Sequence, residues 1–234
     1  MPNRKCPGLP ASWLNGWLAA VGAAVLNTGI RLHWTEERTP VAVLSTASGD
    51  PVEALLASWP DRDFLGDLPI AECWRGMEPM RRQVSVDTFA SRVRKARGHP
   101  HCWALSSTLT DLSVEENGEV AHSPFDPSGT GPMKWLHHRL LDSHSHVTER
   151  GQQVRATLAG QAIRVQRSGL GFDMTRLGSL ADEGDKWVDP VVEVLAFFGL
   201  AVFPVRGVGG DARLGPASRR RAVPRGWRRG RRSP

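Results

Sequence analysis

Eight histidines and three cysteines are the residues that first suggest chemistry in this chain of 234. The histidines gather in two stretches: His99 and His101 beside Cys102, then His137, His138, His144 and His146. Imidazole and thiolate are what zinc and its relatives bind, so one ligand from each stretch could close a site. The spacings are not those of a known metal motif, since neither HExxH nor CxxC occurs. His137 and His138 are neighbours on an expected helix and project about 100° apart, which keeps them from sharing one ion. His144 and His146, expected in a loop, form the better ligand pair. With Asp142 as a carboxylate they define the enzyme alternative, a metal-dependent nuclease. Surface or core packing is the ordinary reading of such histidines, and no metal or other cofactor is expected.

Other catalytic patterns are weaker still. No GxSxG elbow is present, and no serine, histidine and acid are marked as a set. Gly169-Leu170-Gly171-Phe172-Asp173-Met174 follows an expected strand, as a dinucleotide loop would. It lacks the third glycine and the following helix, and reads as a turn. Asp126 and Asp173 are isolated as candidate Mg²⁺ ligands.

Basic residues beside aromatics are more informative, because phosphates need cations and unpaired bases need flat apolar rings. The stretch VDTFASRVRKAR (86–97) predicts a helix whose end carries Arg92, Arg94, Lys95 and Arg97. Lys134 and Arg139 flank Trp135, and Arg81, Arg82, Arg164 and Arg167 also lie in the body. Any one of these elements is equally an ordinary solvated face. The net charge of +6 does not settle the matter, because Ala217 to Pro234 holds eight arginines and no acid. Subtracting those eight leaves a body near −2. The tail around Trp227 would bind any polyanion without choosing a sequence.

These residues must be positioned by a core, and 40% apolar content over this length is enough for one large domain or two small ones. Two greasy nonapeptides frame it: LAAVGAAVL (18–26) and LAFFGLAVF (195–203) agree at five of nine places. The first belongs to an expected helix from Trp13 to Leu26, capped by Ser12, with Leu14, Trp17, Leu18, Val21 and Val25 on one face. Gly22 and alanines 19, 20, 23 and 24 keep another face thin enough for close approach. In the second, Asp189 and Pro190 announce a helix over Val191 to Phe198, Gly199 suits a left-handed end, and 200–203 can leave as a strand. The first copy either repeats that corner or is one uninterrupted helix.

Between them, Ile30 to Trp34 and Val41 to Leu44 predict a hairpin, and Asp50-Pro51 opens a short helix to Trp59. Residues 60–83 and 110–132 read as loop-rich. Helices are expected over Met133 to Ser143 and Gln152 to Leu158, and strands over Trp103 to Leu109 and Ala162 to Gln166. The fold class is therefore α+β, a single mixed domain over 1–207. Its buried N-terminal and C-terminal helices pack on a small, mainly antiparallel sheet, and 208–234 forms a disordered Arg/Gly/Pro-rich tail. Three scattered cysteines indicate a reducing compartment, hence the cytoplasm. The longest apolar run, Trp13 to Leu26, is too short for a membrane span. Arginine outnumbers lysine 26 to four, a GC-rich coding bias of bacterial kind that carries no mechanism.

Several phrases also carry a family likeness. ASWLNGWLAAVG (11–22), PFDPSGTGPMKWLHHRLL (124–141), GLGFDMTRL (169–177) and DPVVEVLAFFGLAVFPVRG (189–207) resemble proteins encoded with type I-G (formerly I-U) CRISPR-Cas systems. The likeness is to their large-subunit-like and accessory components. It covers most of residues 11–207 in patches and includes no catalytic signature. It implies a non-catalytic subunit of an antiviral effector, whose partners are other effector subunits and crRNA or target DNA. In such complexes base pairing reads sequence while protein contacts the backbone. Lys134, Arg139 and Arg176 stand inside the resembling phrases and are the phosphate contacts it implies, with Trp135 beside them. The resemblance fades after Gly207, where the composition shifts as in a GC-rich gene read out of frame.

Overall fold

The computed structural model describes residues 1–62, 85, 87, 109–114, 120–122, 134–167 and 186–200. Within them the chain is mixed α+β, and every strand pair is antiparallel. The hairpin expected from alternation is present as β2 (Arg31–Trp34) and β3 (Val41–Ser45), with Leu32 opposite Leu44 and His33 opposite Val43. All five residues of β3 are buried, because it is the central strand of three.

Its other neighbour, β1 (Asn3–Pro10), is not among the expected elements. Pairing explains how prolines are tolerated there. Asn3 to Cys6 run in register with Ser45 to Ala42, then the register slips before Pro10 meets Val41. Prolines are accommodated on an edge strand, where a missing N–H does not break a ladder on both sides.

Helix α1 (Leu14–Leu26) is one uninterrupted helix, which decides between the two readings of the first nonapeptide. Its N-cap is Trp13 rather than Ser12, and no side chain caps it. The fully buried face is also not the large-residue one. Leu18, Ala19, Ala20 and Ala23 have no exposed surface, whereas Leu14, Trp17, Val21 and Val25 are only half-buried. The thin face is the one another helix covers.

That helix is α5 (Pro190–Gly199), buried at every position, Glu193 included. A Cβ built on Gly22 would lie 2.7 Å from the Leu195 carbonyl carbon and closer still to its oxygen. One built on Gly199 would lie 2.7 Å from the Leu18 carbonyl carbon, and again closer to the oxygen. The fifth residue of each nonapeptide therefore sits on the first residue of the other, and the two helices run in opposite senses. The hydrogen in place of each Cβ is aimed at a carbonyl, a reciprocal Cα–H···O contact of a kind recurrent where helices meet closely. Gly199 does not adopt the expected left-handed conformation: among the described residues only Gly49 and Gly160 have positive φ. Its bareness serves close approach, and Leu200 caps the helix in a right-handed conformation.

Three further helices brace this pair. In α2 (Pro51–Ala57) the Asp50 carboxylate accepts from the Val52 N–H at 2.9 Å, as the Asp-Pro start predicts. Asn27, at the end of α1, donates to the Ala54 carbonyl and the Ser58 hydroxyl, each at 2.9 Å. Leu140 of α3 (Lys134–Ser145) is fully buried, and α3 packs on α5. In α4 (Arg150–Leu158) Arg155 bridges Asp50 and Glu53 of the α2 start. Helix α4 ends by turning through Gly160 (φ +80°), whose N–H bonds the Thr157 carbonyl while that of Gln161 bonds the Ala156 carbonyl. That pattern needs a left-handed residue, which glycine adopts without strain.

Strands β4 (Leu109–Val114) and β5 (Val120–His122) pair within the region expected to be loop-rich over 110–132. A register slip between Thr110 and Val114 breaks the alternation that would have revealed them. A last ribbon joins β6 (Val165–Arg167) to β7 (Lys186–Val188). The expected helix 86–97 apart from Asp87, the strand 103–109 apart from Leu109, most of the 60–83 loop, the strand 200–203 apart from Leu200 and the 208–234 tail lie outside the described residues. No helix among the described residues is long and apolar enough to cross a membrane.

Candidate functional site

The Asp-Pro start that makes α5 a helix also builds one wall of a cleft. Asp189 accepts through Oδ1 from the N–H groups of Val191 (3.0 Å) and Val192 (3.4 Å). Its Oδ2 accepts from the Thr157 hydroxyl at 2.7 Å, which ties the end of α4 to the start of α5. Across from this pair run the end of β1 and the first turn of α1. Between them opens a cleft of about 520 Å³, within the size range of small-ligand sites.

Its lining is mostly apolar, with Pro7, Pro10, Val41 and Val192 among the contributors. Asn15, Thr39, Thr157 and Arg164 add polar groups. Two tryptophans stand in it without being buried: Trp13 is 48% exposed and Trp187 is 62% exposed. Rings of that size are ordinarily buried, so two of them open at one cleft make it the candidate binding surface. The β6–β7 register puts Trp187 opposite Gln166, and on the next rung Arg167 opposite Lys186. Helix α1 starts at the same cleft with no side-chain cap.

Burial pushes the Asp189 carboxyl above its ordinary 3.8; the hydrogen bonds from Thr157, Val191 and Val192 and the charge of Arg164 act the other way. A raised acid holds its proton more readily in the folded chain than in the unfolded one. Its contribution to stability therefore declines as pH rises from the ordinary value through the raised one. Asp189→Asn keeps an oxygen for the α5 N–H groups and has no charge to desolvate. That variant is expected to fold as well as the parent near neutral pH and to lose this decline. Asp189→Ala loses the cap, an expected destabilisation of about 1 kcal/mol. Urea denaturation at acid and neutral pH separates the two, and equal losses in both variants would show that α5 needs the charge itself.

The histidine candidates fall elsewhere. His144 and Ser145 belong to α3, not to a loop: helical turns continue through the His146 and Val147 N–H groups, which bond the Ser143 and His144 carbonyls. His144 bonds the Pro60 carbonyl through Nε2 at 2.8 Å, and its ring stacks on Trp59 at a centroid distance of 6.4 Å. To meet a carbonyl that nitrogen must donate, so it offers no lone pair to a metal. His146 turns to Asp142, 3.7 Å away, and its carbonyl is held by Gln153. No group of three or more His, Cys, Asp or Glu side chains converges as a metal site among the described residues. Cys6, also buried, has its thiol pushed up to about 11 by that burial, so little of it is thiolate near neutral pH.

Of the basic candidates, Lys134 and Trp135 open the first turn of α3, and Arg139 lies half-buried on the same helix with a partner of its own. Arg92, Arg94, Lys95 and Arg176 lie outside the described residues. Among the described residues, Arg164 lines the cleft and Arg167 ends strand β6. Trp13, Trp187 and Asp189 were missed as site residues. Trp13 was read as the start of a core helix, and Asp189 only as the cap of α5. A tryptophan beside Lys186 in a short polar stretch was the one signal that could have revealed Trp187. Against known proteins, the chain matches no family model, no curated protein and no solved structure.

Proposed function

We propose that this chain is a nucleic-acid-binding subunit, without hydrolytic chemistry of its own, of a crRNA-guided effector of the type I-G kind. The observation that carries the binding reading is the pair of exposed tryptophans, Trp13 and Trp187, at a cleft that also holds Arg164. Aromatic faces with interleaved cations are what a nucleic-acid strand requires of a protein that does not read it by base edges. The phrases resembling type I-G components support reading that strand as crRNA or target DNA of a cytoplasmic effector. The nuclease alternative has no comparable support, because His144 is turned to Pro60 and Trp59, away from His146 and Asp142.

Binding is expected to weaken with salt. Three phosphate contacts to a single strand correspond to roughly a 20-fold loss of affinity between about 50 and 200 mM salt. Fluorescence anisotropy of labelled RNA and DNA with the full chain, together with co-purification alongside type I-G effector subunits, tests the proposal. Neither binding nor co-purification would end it. Co-purification with no salt-sensitive binding would leave a purely structural, partner-binding protein.

A further inference from the structure

The composition of the cleft suggests which form of nucleic acid it takes. We propose that the cleft receives an unpaired nucleotide of a single strand, its base stacked on Trp187 and an adjoining phosphate held at Arg164. This rests on the nucleic-acid reading above and narrows it. A polyanion held by charge alone needs cations and no aromatic surface. Here the larger feature is aromatic and apolar: Trp187 and Trp13 are open, and Pro7, Pro10 and Val192 stand behind them. Such a surface gains from covering a base face and gains nothing from phosphate.

A duplex keeps its base faces stacked inside, so it can offer this surface only backbone. An unpaired base has both faces free, and every base has a π-face, so stacking requires no particular sequence. The charges are complementary to such a strand. Arg164 lines the cleft together with Trp187. The acid present, Asp189, is occupied: its oxygens accept from Thr157 and the α5 backbone, so repulsion of a phosphate is blunted.

The test uses the full chain with four probes: a mixed-sequence RNA octamer, the same octamer as a duplex, an abasic strand with the same number of phosphates, and a proline decamer. The octamer is expected to bind at least tenfold more tightly than the duplex or the abasic strand, and to quench tryptophan fluorescence. Trp187→Ala is expected to weaken octamer binding by between about 5- and 150-fold while leaving abasic binding as it was. Trp187→Phe, which keeps a stacking face, is expected to restore much of the loss. Arg164→Ala is expected to lower the salt dependence by about one phosphate contact in both strands. Trp187 is exposed, so its removal is not expected to unfold the chain, and thermal denaturation of both variants checks this.

Equal binding of octamer, duplex and abasic strand would overturn the stacked-nucleotide proposal while leaving a polyanion-binding subunit standing. The same holds if Trp187→Ala binds the octamer as the parent does. Binding of the proline decamer in place of the octamer would overturn both readings, because aromatic grooves also take polyproline segments.

Discussion

Gly22→Ala is expected to destabilise the folded chain by about 3 kcal/mol, seen in urea as a lower midpoint at unchanged slope. The sign is the informative part. In a helix with nothing against it, the same change would stabilise by up to about 1 kcal/mol, because alanine is the better helix former. Here the added methyl would occupy the space of the Leu195 carbonyl, which is backbone and cannot rotate away. Helices α1 and α5 would have to separate along the whole contact, loosening Ala19, Ala20 and Ala23 against a helix buried at every position.

Gly199→Ala meets the Leu18 carbonyl in the same way and is expected to lose a similar amount. Both alanines together are expected to lose little more than one, since the separation forced by the first makes room for the second. Neighbouring sites show such coupling at about 0.5–3 kcal/mol, whereas independent sites add. A strictly additive double variant would mean that the two glycines do not share one interface.

This pair shows how far the text of the chain could be read. A repeated glycine-centred nonapeptide near both ends of the body signals two packing surfaces, and the thin alanine face of the first signals a close neighbour. The identity of the neighbour is not in either phrase, because the contact between Gly22 and Leu195 spans most of the chain. Gly199 was legible as necessary and misread in its reason, since a glycine at a helix end is equally apt for a left-handed turn or a close contact. Local signals fared well where one residue meets its near neighbours, as at Asp50-Pro51, Asp189-Pro190 and the β2–β3 hairpin. Strand β1 was invisible, because its edge position, which tolerates Pro7 and Pro10, is set by β3 some 35 residues on.

The cleft shares that difficulty. Arg164 and Arg167 were singled out by charge, but Trp13 and Trp187 stand far apart in sequence and meet in one cleft only through tertiary contact. The histidines drew attention by composition, and the fold uses His144 as a packing residue under α3. Charge and metal-ligand type are visible residue by residue. Exposure of an apolar ring depends on what fails to cover it, and that is a property of the folded chain.

Gly8→Ala is the substitution expected to reach both fold and site. Its Cβ would lie 2.9 Å from the Thr157 carbonyl carbon, nearer still to the oxygen, and 3.1 Å from the Gly160 nitrogen. That carbonyl already accepts the Gly160 N–H, which ends α4, and the Thr157 hydroxyl holds Asp189 at the start of α5. Pushing the end of α4 off β1 therefore shifts Thr157, Gly160 and Asp189, all three of which line the cleft, as Gly8 does. The expected stability loss is about 1–3 kcal/mol. Octamer affinity is expected to fall about tenfold with it, a loss of roughly 1.4 kcal/mol. Gly22 does not itself line the cleft, so Gly22→Ala measured well below its unfolding midpoint is expected to lose less affinity than Gly8→Ala. Calorimetric titration of both variants with the RNA octamer compares them. If the two lose affinity equally, the glycine contact between β1 and α4 has no special part in shaping the cleft, and general loosening of the fold accounts for the loss.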